Sequence, residues 1–324
     1  AWVQWEKVIK VLVMTLVTIV LINDREKFKY LVMVIAFSIG LLGIKGGIFS
    51  LATGGAHMVY GPPRSLIADN NEMALALNMI LPMLFFLAAD EKHRRLKMIL
   101  WFTFGMSVIS TLFTYSRGGF ITLAVVAAML LFKTRYKVLI IPAISVVFLI
   151  GISYAPSQWF ERVESIQTYE ESQSAMGRIY AWYTAFNVAK DRPLYGAGFE
   201  GLQGKTRFLY SPAPFRTALD VHSIYFEVLG EHGILAFGFF IALLISTLLA
   251  TQKLKTISFS NPEYQWVNGY SNMLQIGLIA YMVGGIFLGR AYFDLFYHIV
   301  AMVVILRVLV QKQMKNNQAG VTAV

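Results

Sequence analysis

The stretch EMALALNMILPMLFFLAA, residues 72–89, has a single charged side chain and is long enough to cross a membrane. A transmembrane helix needs about 20 predominantly apolar residues, within a range of about 17–25. Eight further apolar segments lie on either side of it, at 5–22, 29–50, 97–115, 117–132, 138–155, 222–250, 270–288 and 291–310. The pattern predicts an all-α, polytopic transmembrane bundle of about nine spans.

The composition supports this class. Of the 324 residues, 57% are hydrophobic and 14% are charged, whereas a soluble domain averages about 45–50% apolar and about 25% charged residues. A soluble enzyme, a nucleic-acid-binding protein and a disordered chain are therefore poor matches, even though the net charge is +10. The chain has no cysteine, which excludes disulfides, thiolate nucleophiles and cysteine-based metal sites.

Basic residues are concentrated in alternate short connections and near the C-terminus. They are Arg25, Lys27, Lys29, Lys92, Arg94, Arg95, Lys97, Lys133, Arg135, Lys137, Lys253, Lys255, Arg307, Lys312 and Lys315. The positive-inside rule assigns this side to the cytoplasm. With nine spans, the N-terminus is then outside and the C-terminus is cytoplasmic.

The opposite side carries a long connection. We expect one integral membrane domain, residues 1–324, with a large outer loop at 156–221 between the sixth and seventh spans. A loop of this length in a compact protein is usually functional. Within it, MGRIYAWYTAFNVAK, residues 176–190, has apolar residues at helical spacing and predicts an amphipathic helix at the outer interface.

Arg117 lies in the motif Tyr115-Ser116-Arg117-Gly118-Gly119, at the predicted outer end of a membrane hairpin. A guanidinium near hydrocarbon is costly and normally faces the protein interior with a partner. Two interpretations follow from the residues alone. Arg117 binds an anionic group such as a phosphate bidentately, or it reaches the outer interface and stabilises the turn.

Arg178 and His222 are the other candidate residues of the outer side. Arg178 follows Gly177 at the start of the predicted amphipathic helix, where the helix dipole favours anions, or it is a solvated loop charge. His222 begins the seventh span. It acts as a general base or positions an attacking hydroxyl, or it is an interfacial residue at a helix start capped by Asp220.

Glu227 and Glu231 lie on the same predicted helix at i, i+4 and so share a face. Carboxylates at this depth are costly unless they face protein or water. They pair with a basic group or orient a reacting one, or they are buried polar contacts that fix helix packing. Gly230 and Gly233 indicate an irregular helix at this point.

Other polar motifs have structural explanations. Asp69-Asn70-Asn71-Glu72 precedes an apolar run and predicts a helix N-cap. The stretch PLYGAG, residues 193–198, predicts a turn. Its lone G-x-G is only weak support for phosphate binding. The five histidines are spread over separate segments or helix faces, so the sequence does not indicate a zinc site.

Taken in order, these motifs resemble the O-antigen ligase and polymerase superfamily of bacterial membrane glycosyltransferases. The resemblance covers about residues 60–310 and rests on Asp69-Asn70-Asn71, Ser116-Arg117-Gly118, Gly177-Arg178, PLYGAG at 193–198, and His222-Ser223 followed by Glu231-x-Gly233. Four stretches, KGGIFSLATGG, IADNNEMALALNMILP, QWFERVESIQTYEESQSAMGRI and GEHG, look similar to the O-glycosylation ligases associated with exosortase systems.

The resemblance implies a GT-C-like membrane fold and transfer of a glycan from undecaprenyl diphosphate to an acceptor hydroxyl. The acceptor is a lipid A core, a glycan or a protein. The chemistry takes place on the periplasmic face of the inner membrane, without a metal, a cofactor or a nucleotide sugar. Relatives commonly have further N-terminal spans, which the resemblance also implies for the complete protein.

The resemblance implies catalytic roles for Arg117, Arg178 and His222. Substrate-binding roles are expected for both arginines and for Glu231, Asn71 and Tyr115. We expect the two arginines to bind the diphosphate and His222 to accept the acceptor's proton, with inversion at the anomeric carbon. The amphipathic helix at 176–190 would gate access of the substrate from the lipid.

Three other functions compete with this one. A polysaccharide polymerase would use the same donor with a glycan acceptor. A transporter of polyprenyl-linked glycans would show inverted repeats and broken helices near the midplane, and we find no repeat. A scaffold for an envelope assembly would work without Arg117 or His222. Membrane lipids are expected partners in every case, and nucleic acid is not.

Overall fold

The computed structural model describes residues 1–133, 173–213 and 220–322, and this part of the chain is helical and contains no strand. The all-α prediction is therefore confirmed. Its helices are α1 (Trp2–Leu21), α2 (Arg25–Ala52), α3 (Asn70–Asp90), α4 (Arg94–Leu112), α5 (Arg117–Lys133), α6 (Gln173–Asp191), α7 (Gly204–Tyr210), α8 (Ile224–Ser260), α9 (Gln265–Gly284) and α10 (Asp294–Thr322). The sixth predicted span, 138–155, and residues 156–172 and 214–219 of the large loop lie outside the described residues.

Each of the other eight predicted spans coincides with a helix. Four are long and apolar enough to cross a membrane by length and composition: α2, α3, α8 and the Asp294–Gln318 part of α10. Helix α5 is apolar over Arg117–Phe132 but shorter. These helices, together with α1, α4 and α9, agree with a polytopic membrane protein.

Helix α3 forms the centre of the bundle. Almost all of its side chains are buried, including Leu77 and Met79, and it packs against α2, α4, α5 and α9. Its apolar residues therefore surround the helix instead of forming a stripe, as expected for a central membrane helix. Pro82 lies inside the helix without ending it. The stretch that predicted the membrane class is thus also the core of the fold.

Small residues allow α2 and α4 to approach closely. A Cβ added at Gly43 would lie 2.2 Å from Oγ of Ser107, and one added at Gly46 would lie 2.3 Å from Oγ of Ser110. Close contact between small residues is a common way to pack membrane helices, because dispersion contacts replace the hydrophobic effect in lipid.

Among the described residues, the basic connections at the start of α2 and after α3 meet at one end of the bundle, in agreement with the charge pattern. Nζ of Lys29 at the start of α2 lies 3.5 Å from Oε2 of Glu91 at the end of α3. The guanidinium of Arg25 lies 4.5 Å from the ring centroid of Trp266 at the start of α9. We call this the basic end. The opposite end, where α3, α5 and α8 begin, is the site end.

The structure differs from the sequence prediction where α9 meets α10. The predicted spans 270–288 and 291–310 were joined only by Gly289 and Arg290, but α9 ends at Gly284 and α10 begins at Asp294. The connection is longer because its backbone turns back into the bundle. There the amide of Ile224 donates to the carbonyl of Gly285 at 2.8 Å, and that of Ala291 donates to Oε2 of Glu227 at 2.8 Å.

Helix α8 is broken near the site end. Gly233 has φ 82° and ψ −177°, a conformation that only glycine adopts readily. A Cβ at this position would lie 2.3 Å from the carbonyl oxygen of Pro193. The irregularity predicted from Gly230 and Gly233 is therefore present, and it separates a short segment carrying Glu227 and Glu231 from the long span.

Candidate active site

A cavity of about 250 Å³ at the site end contains both predicted arginines. Arg117 comes from the start of α5 and Arg178 from α6, and Asn70, Asn71 and Ser116 add polar groups. No carboxylate is present among its described lining residues. We call it the cationic cavity. Its lining comes from four helices, α3, α5, α6 and α9, that are separated in sequence.

The start of α5 places Arg117 at the wall of this cavity. Ser116 precedes the helix, and its Oγ accepts a hydrogen bond from the amide of Gly119 at 3.0 Å, as an N-cap does. A Cβ at Gly119 would lie 2.5 Å from Cβ of Ala74, so this glycine allows α5 to contact α3. The serine and glycine of the motif thus fix the helix that carries Arg117.

Arg178 is not at a helix start, contrary to the sequence prediction. Helix α6 begins at Gln173, so Arg178 lies in its second turn and does not gain from the free amides of a helix N-terminus. The pKa of Arg178 is lowered by burial and by the positive charge of Arg117. The two guanidinium groups thus share one partly buried space without a neutralising acid among the described lining residues.

The structure explains Asn71 mainly as a positioning residue. Its Oδ1 accepts a hydrogen bond from Oγ of Ser116 at 2.7 Å, and its Nδ2 donates to Oδ1 of Asp69 at 2.9 Å. Asp69 and Glu72 form the predicted cap as a full capping box. The DNNE motif therefore caps α3 and also links α3 to the start of α5.

Tyr115 lines the same cavity and has a left-handed backbone, with φ 53°. Its hydroxyl donates a hydrogen bond to the carbonyl of Gly55. Tyr115 thus holds the connection after α2 against the turn before α5, while its remaining surface contributes to the cavity wall.

His222 lies next to residues of a second cavity and within the electrostatic reach of Arg178 in the cationic cavity. Asp220 and Val221, just before it, line the second cavity. Burial is the largest cause that lowers the pKa of His222, and the positive charge of Arg178 is the second. Its Nδ1 is buried without a hydrogen-bond partner in the described part of the chain. The lowered pKa favours a neutral imidazole, which can accept a proton.

The helix cap predicted for His222 is wrong in detail. Helix α8 begins at Ile224 with Ser223 as its N-cap. Oδ1 of Asp220 accepts from the amide of the adjacent Val221 at 2.9 Å instead of from a helix amide. His222 itself has a left-handed φ of 46°, because the chain turns sharply there before entering the helix.

Glu231 lines the second cavity, which has a volume of about 520 Å³. Its Oε1 accepts from the amide of Glu200 at 2.7 Å, and its Oε2 accepts from the hydroxyl of Tyr292 at 2.7 Å. Glu227, one turn earlier, accepts from the amide of Ala291. These contacts fit the second interpretation from the sequence, in which the carboxylates fix packing, and they separate Glu231 from the two arginines.

The PLYGAG stretch binds to the break in α8 instead of binding phosphate. The amide of Ala197 donates to the carbonyl of Gly230 at 2.9 Å, and that of Gly198 donates to the carbonyl of Glu231 at 2.8 Å. A Cβ at Gly196 would lie 2.5 Å from the same backbone. The loop thus occupies the carbonyl groups that the broken helix leaves without helical partners.

Sequence reasoning missed Arg290. It interpreted this residue only as part of a short connection, but its guanidinium pairs with the carboxylate of Glu72 and also lines the second cavity. A signal was available, since a charged residue close to a membrane segment needs a partner. The partner could not be identified, because it lies more than two hundred positions earlier in the chain.

Within the described ranges, no group of three or more His, Cys, Asp or Glu side chains is arranged to hold a metal ion. The cationic cavity instead offers two fixed positive charges. Guanidinium groups bind phosphate oxygens bidentately and keep their charge at any physiological pH. The arrangement is suited to an anionic ligand with a titratable base nearby.

Comparison with known families agrees with this arrangement. Residues 102–241 match the sequence model of the O-antigen ligases, and residues 1–91 match a family of unknown function, DUF5935. A search of curated proteins found no match. The first match includes Arg117, Arg178, His222 and Glu231, and it supports the superfamily resemblance drawn from the motifs without indicating the exosortase-associated branch.

Proposed function

We propose that this chain, which is similar to O-antigen ligases over residues 102–241, transfers a glycan from undecaprenyl diphosphate to an acceptor hydroxyl. The family match supports a membrane glycosyltransferase of the ligase or polymerase type. The donor, the acceptor hydroxyl and the periplasmic location are our proposals, and they rest on the site and the charge pattern.

The observation that carries the proposal is the pair Arg117 and Arg178 in one cavity. Two cations brought together without a described carboxylate repel each other, so the arrangement stabilises the protein only when an anion lies between them. A diphosphate has the charge and the oxygen geometry to bind both guanidinium groups. Its polyprenyl tail would extend into lipid from the site end of the bundle.

The two arginines would also assist bond breaking. As the bond between the anomeric carbon and the phosphate oxygen breaks, its electron pair goes to the diphosphate, which gains negative charge. Fixed cations stabilise that charge more in the transition state than in the ground state, which is the condition for catalysis. Neither arginine has to move a proton for this role.

His222 would act on the acceptor. The acceptor oxygen forms the new bond to the anomeric carbon, and its proton passes to the neutral imidazole. Direct attack opposite the leaving diphosphate inverts the anomeric centre. The imidazole of His222 would take this proton, and burial together with the positive charge of Arg178 lowers its pKa and favours the unprotonated ring before the reaction.

The site end faces the periplasm in this proposal. Lys29, Glu91, Arg25 and Trp266 meet at the basic end, opposite the two arginines of the site. The positive-inside rule assigns such an end to the cytoplasm. Labelling of the single-cysteine variants Tyr60→Cys and Lys253→Cys in intact cells tests this orientation directly. Labelling of the Lys253→Cys variant from outside would contradict it.

The catalytic proposal is tested with purified protein and a labelled polyprenyl-diphosphate glycan. We expect Arg117→Ala and Arg178→Ala to lower transfer by about 10²–10³-fold, the usual loss for a donor that stabilises transition-state charge. His222→Ala should lower kcat while leaving donor binding close to that of the wild type. Folded variants that all turn over at nearly the wild-type rate would contradict the site.

The chain offers a matched control in Arg192. It lies just after α6, pairs with Asp191 at 3.7 Å and is partly exposed. Arg192→Ala removes the same positive charge from the same region and should leave transfer unchanged. Mass spectrometry of the product separates a ligase, which caps an acceptor, from a polymerase, which lengthens a glycan. An intact donor moved across the bilayer would instead indicate a transporter.

A further inference from the structure

The second cavity adjoins the cationic cavity. Gly177 lines the second cavity and Arg178, the next residue, lines the first. In the connection between α9 and α10, Leu288 likewise lines the first cavity, and Arg290, two positions later, lines the second. The two cavities therefore adjoin at two stretches of the chain. His222 directly follows Val221, which lines the second cavity, and the charge of Arg178, which lines the first, acts on it. A group held in the second cavity would lie beside whatever the arginines bind.

The second cavity differs from the first in charge. Its lining includes four carboxylates, from Glu200, Asp220, Glu227 and Glu231, and three basic side chains, from Lys7, Arg207 and Arg290. Three of these carboxylates, those of Asp220, Glu227 and Glu231, are already hydrogen-bonded within the protein. This mixed lining suits an uncharged ligand with many hydroxyls, which could donate to the carboxylates and accept from the basic groups.

Size and aromatic content fit a small carbohydrate. The volume of about 520 Å³ lies within the range of about 300–1,000 Å³ that is usual for ligand pockets. Tyr292 and Phe293 line it, and Phe199 lies 5.2 Å from Tyr292 between ring centroids. Ligand pockets typically combine aromatic surfaces with a few fixed polar groups in this way.

One wall of the cavity comes from α1. Gln4 and Lys7, three positions apart on the same face of that helix, line the cavity together with Ser65 and Leu66. The start of α1 is held there by contacts with the large loop, since the rings of Trp5 and Phe199 lie 6.1 Å apart. All four lining residues lie in the region 1–91, which matches the family of unknown function.

We infer that the second cavity is the acceptor site, that it binds an uncharged, hydroxyl-rich glycan, and that α1 supplies the wall that selects it. The inference rests on the proposed glycosyl transfer. It gives residues 1–91 a specific task, which is to form the acceptor side of a reaction whose cations lie in residues 102–241.

The first test is direct binding. A neutral oligosaccharide is titrated into purified protein and followed by saturation-transfer NMR. Ala181→Trp, which fills the cavity from α6, should abolish binding. Phe186→Trp is the matched control, because Phe186 is exposed on the same helix and the change should leave binding intact. Binding that survives Ala181→Trp, or preferential binding of a phosphorylated glycan or a serine-containing peptide, would overturn the inference.

The second test examines α1. Gln4→Ala and Lys7→Ala should each raise the KM for the acceptor about tenfold, which corresponds to about 1.4 kcal/mol of binding, with the donor KM unchanged. Lys10→Ala is the control, since Lys10 pairs with Glu6 on the same helix and should have no effect. A rise in donor KM, or no change in either constant, would contradict the role of α1.

The proposed reaction and the proposed acceptor site can be contradicted independently of each other. If the protein binds the neutral glycan at this cavity but transfers nothing from a polyprenyl diphosphate, the acceptor site stands and the proposed reaction is wrong. If transfer occurs and depends on Arg117 and Arg178, but Ala181→Trp retains the wild-type acceptor KM, the reaction stands and the assignment of the second cavity is wrong.

Discussion

The guanidinium of Arg290, in the connection between α9 and α10, pairs with the carboxylate of Glu72 in the first turn of α3. Glu72 also accepts from the amide of Asp69 and so completes the cap of α3. The pair therefore joins the central helix to the connection that forms one wall of both cavities. It is the longest-range ion pair among the described residues.

Breaking this pair should destabilise the protein. The side chains of Glu72 and Arg290 are 7% and 37% exposed. Removal of one partner leaves the other charge partly buried, and we expect Arg290→Ala to lower the free energy of unfolding by up to about 3 kcal/mol. Thermal unfolding in detergent measures the change.

A matched comparison is available at the basic end. Lys29→Ala breaks a pair whose basic partner is 47% exposed, and such pairs contribute about 0–1 kcal/mol. The double variant Glu72→Gln with Arg290→Gln should recover part of the loss, because no unpaired charge remains. Equal effects of Arg290→Ala and Lys29→Ala would show that the Glu72 pair has no special structural role.

Acid should protonate His222 only below its ordinary pKa, which is about 6.5. Burial and then the charge of Arg178 lower the pKa in the folded protein. NMR titration of the histidines, assigned with His222→Gln, measures the shift. Arg178→Gln should raise the pKa of His222, because it removes the second cause. An unchanged titration in that variant would contradict the proximity of the two side chains.

The same shift predicts how stability depends on pH. Between the lowered folded pKa and the unfolded value of about 6.5, the unfolded chain binds more protons than the folded one. The contribution of His222 to stability is therefore complete above about pH 6.5 and is lost as the pH falls towards the folded pKa. His222→Gln should remove this part of the acid dependence, and an identical profile in that variant would exclude His222 as its source.

Replacement of Gly233 should destabilise the break in α8. Gly233→Ala forces a side chain into φ 82°, ψ −177°, which costs about 1–3 kcal/mol, and brings Cβ to 2.3 Å from the carbonyl oxygen of Pro193. Gly238→Ala, five residues along, meets no atom within 4 Å and should change little. If both variants unfold at the same temperature, the break is not required for the fold.

Loss of the Asn71–Ser116 hydrogen bond should affect turnover through Arg117. Ser116→Ala removes an N-cap, which costs about 1 kcal/mol of stability, and frees the start of α5. We expect Asn71→Ala and Ser116→Ala each to lower kcat, and the double variant to be no worse than the more severe single one. Fully additive losses would indicate that Asn71 binds substrate independently, as the resemblance implies.

The sequence was sufficient for the class and for the eight spans that fall within the described residues, and it supplied the candidate site motifs. The long apolar segments predicted a helical membrane bundle, because a backbone in lipid must satisfy its hydrogen bonds within each helix. The DNNE cap and the glycine-rich break in α8 were also readable, since both depend on local backbone chemistry. Arg117, Arg178 and His222 could be selected because charged or titratable groups near hydrocarbon are costly.

Only the tertiary structure decided how these residues are grouped. Local pattern placed Arg178 at a helix start, but the helix begins earlier. The proximity of Arg178 to Arg117 follows from the position that α6 takes where it packs against α8. Glu231 was separated from the arginines, and Glu72 was paired with Arg290, by contacts between segments far apart in the chain. Sequence periodicity determines which face of a helix is apolar, but the partner of a buried charge depends on which helices pack together.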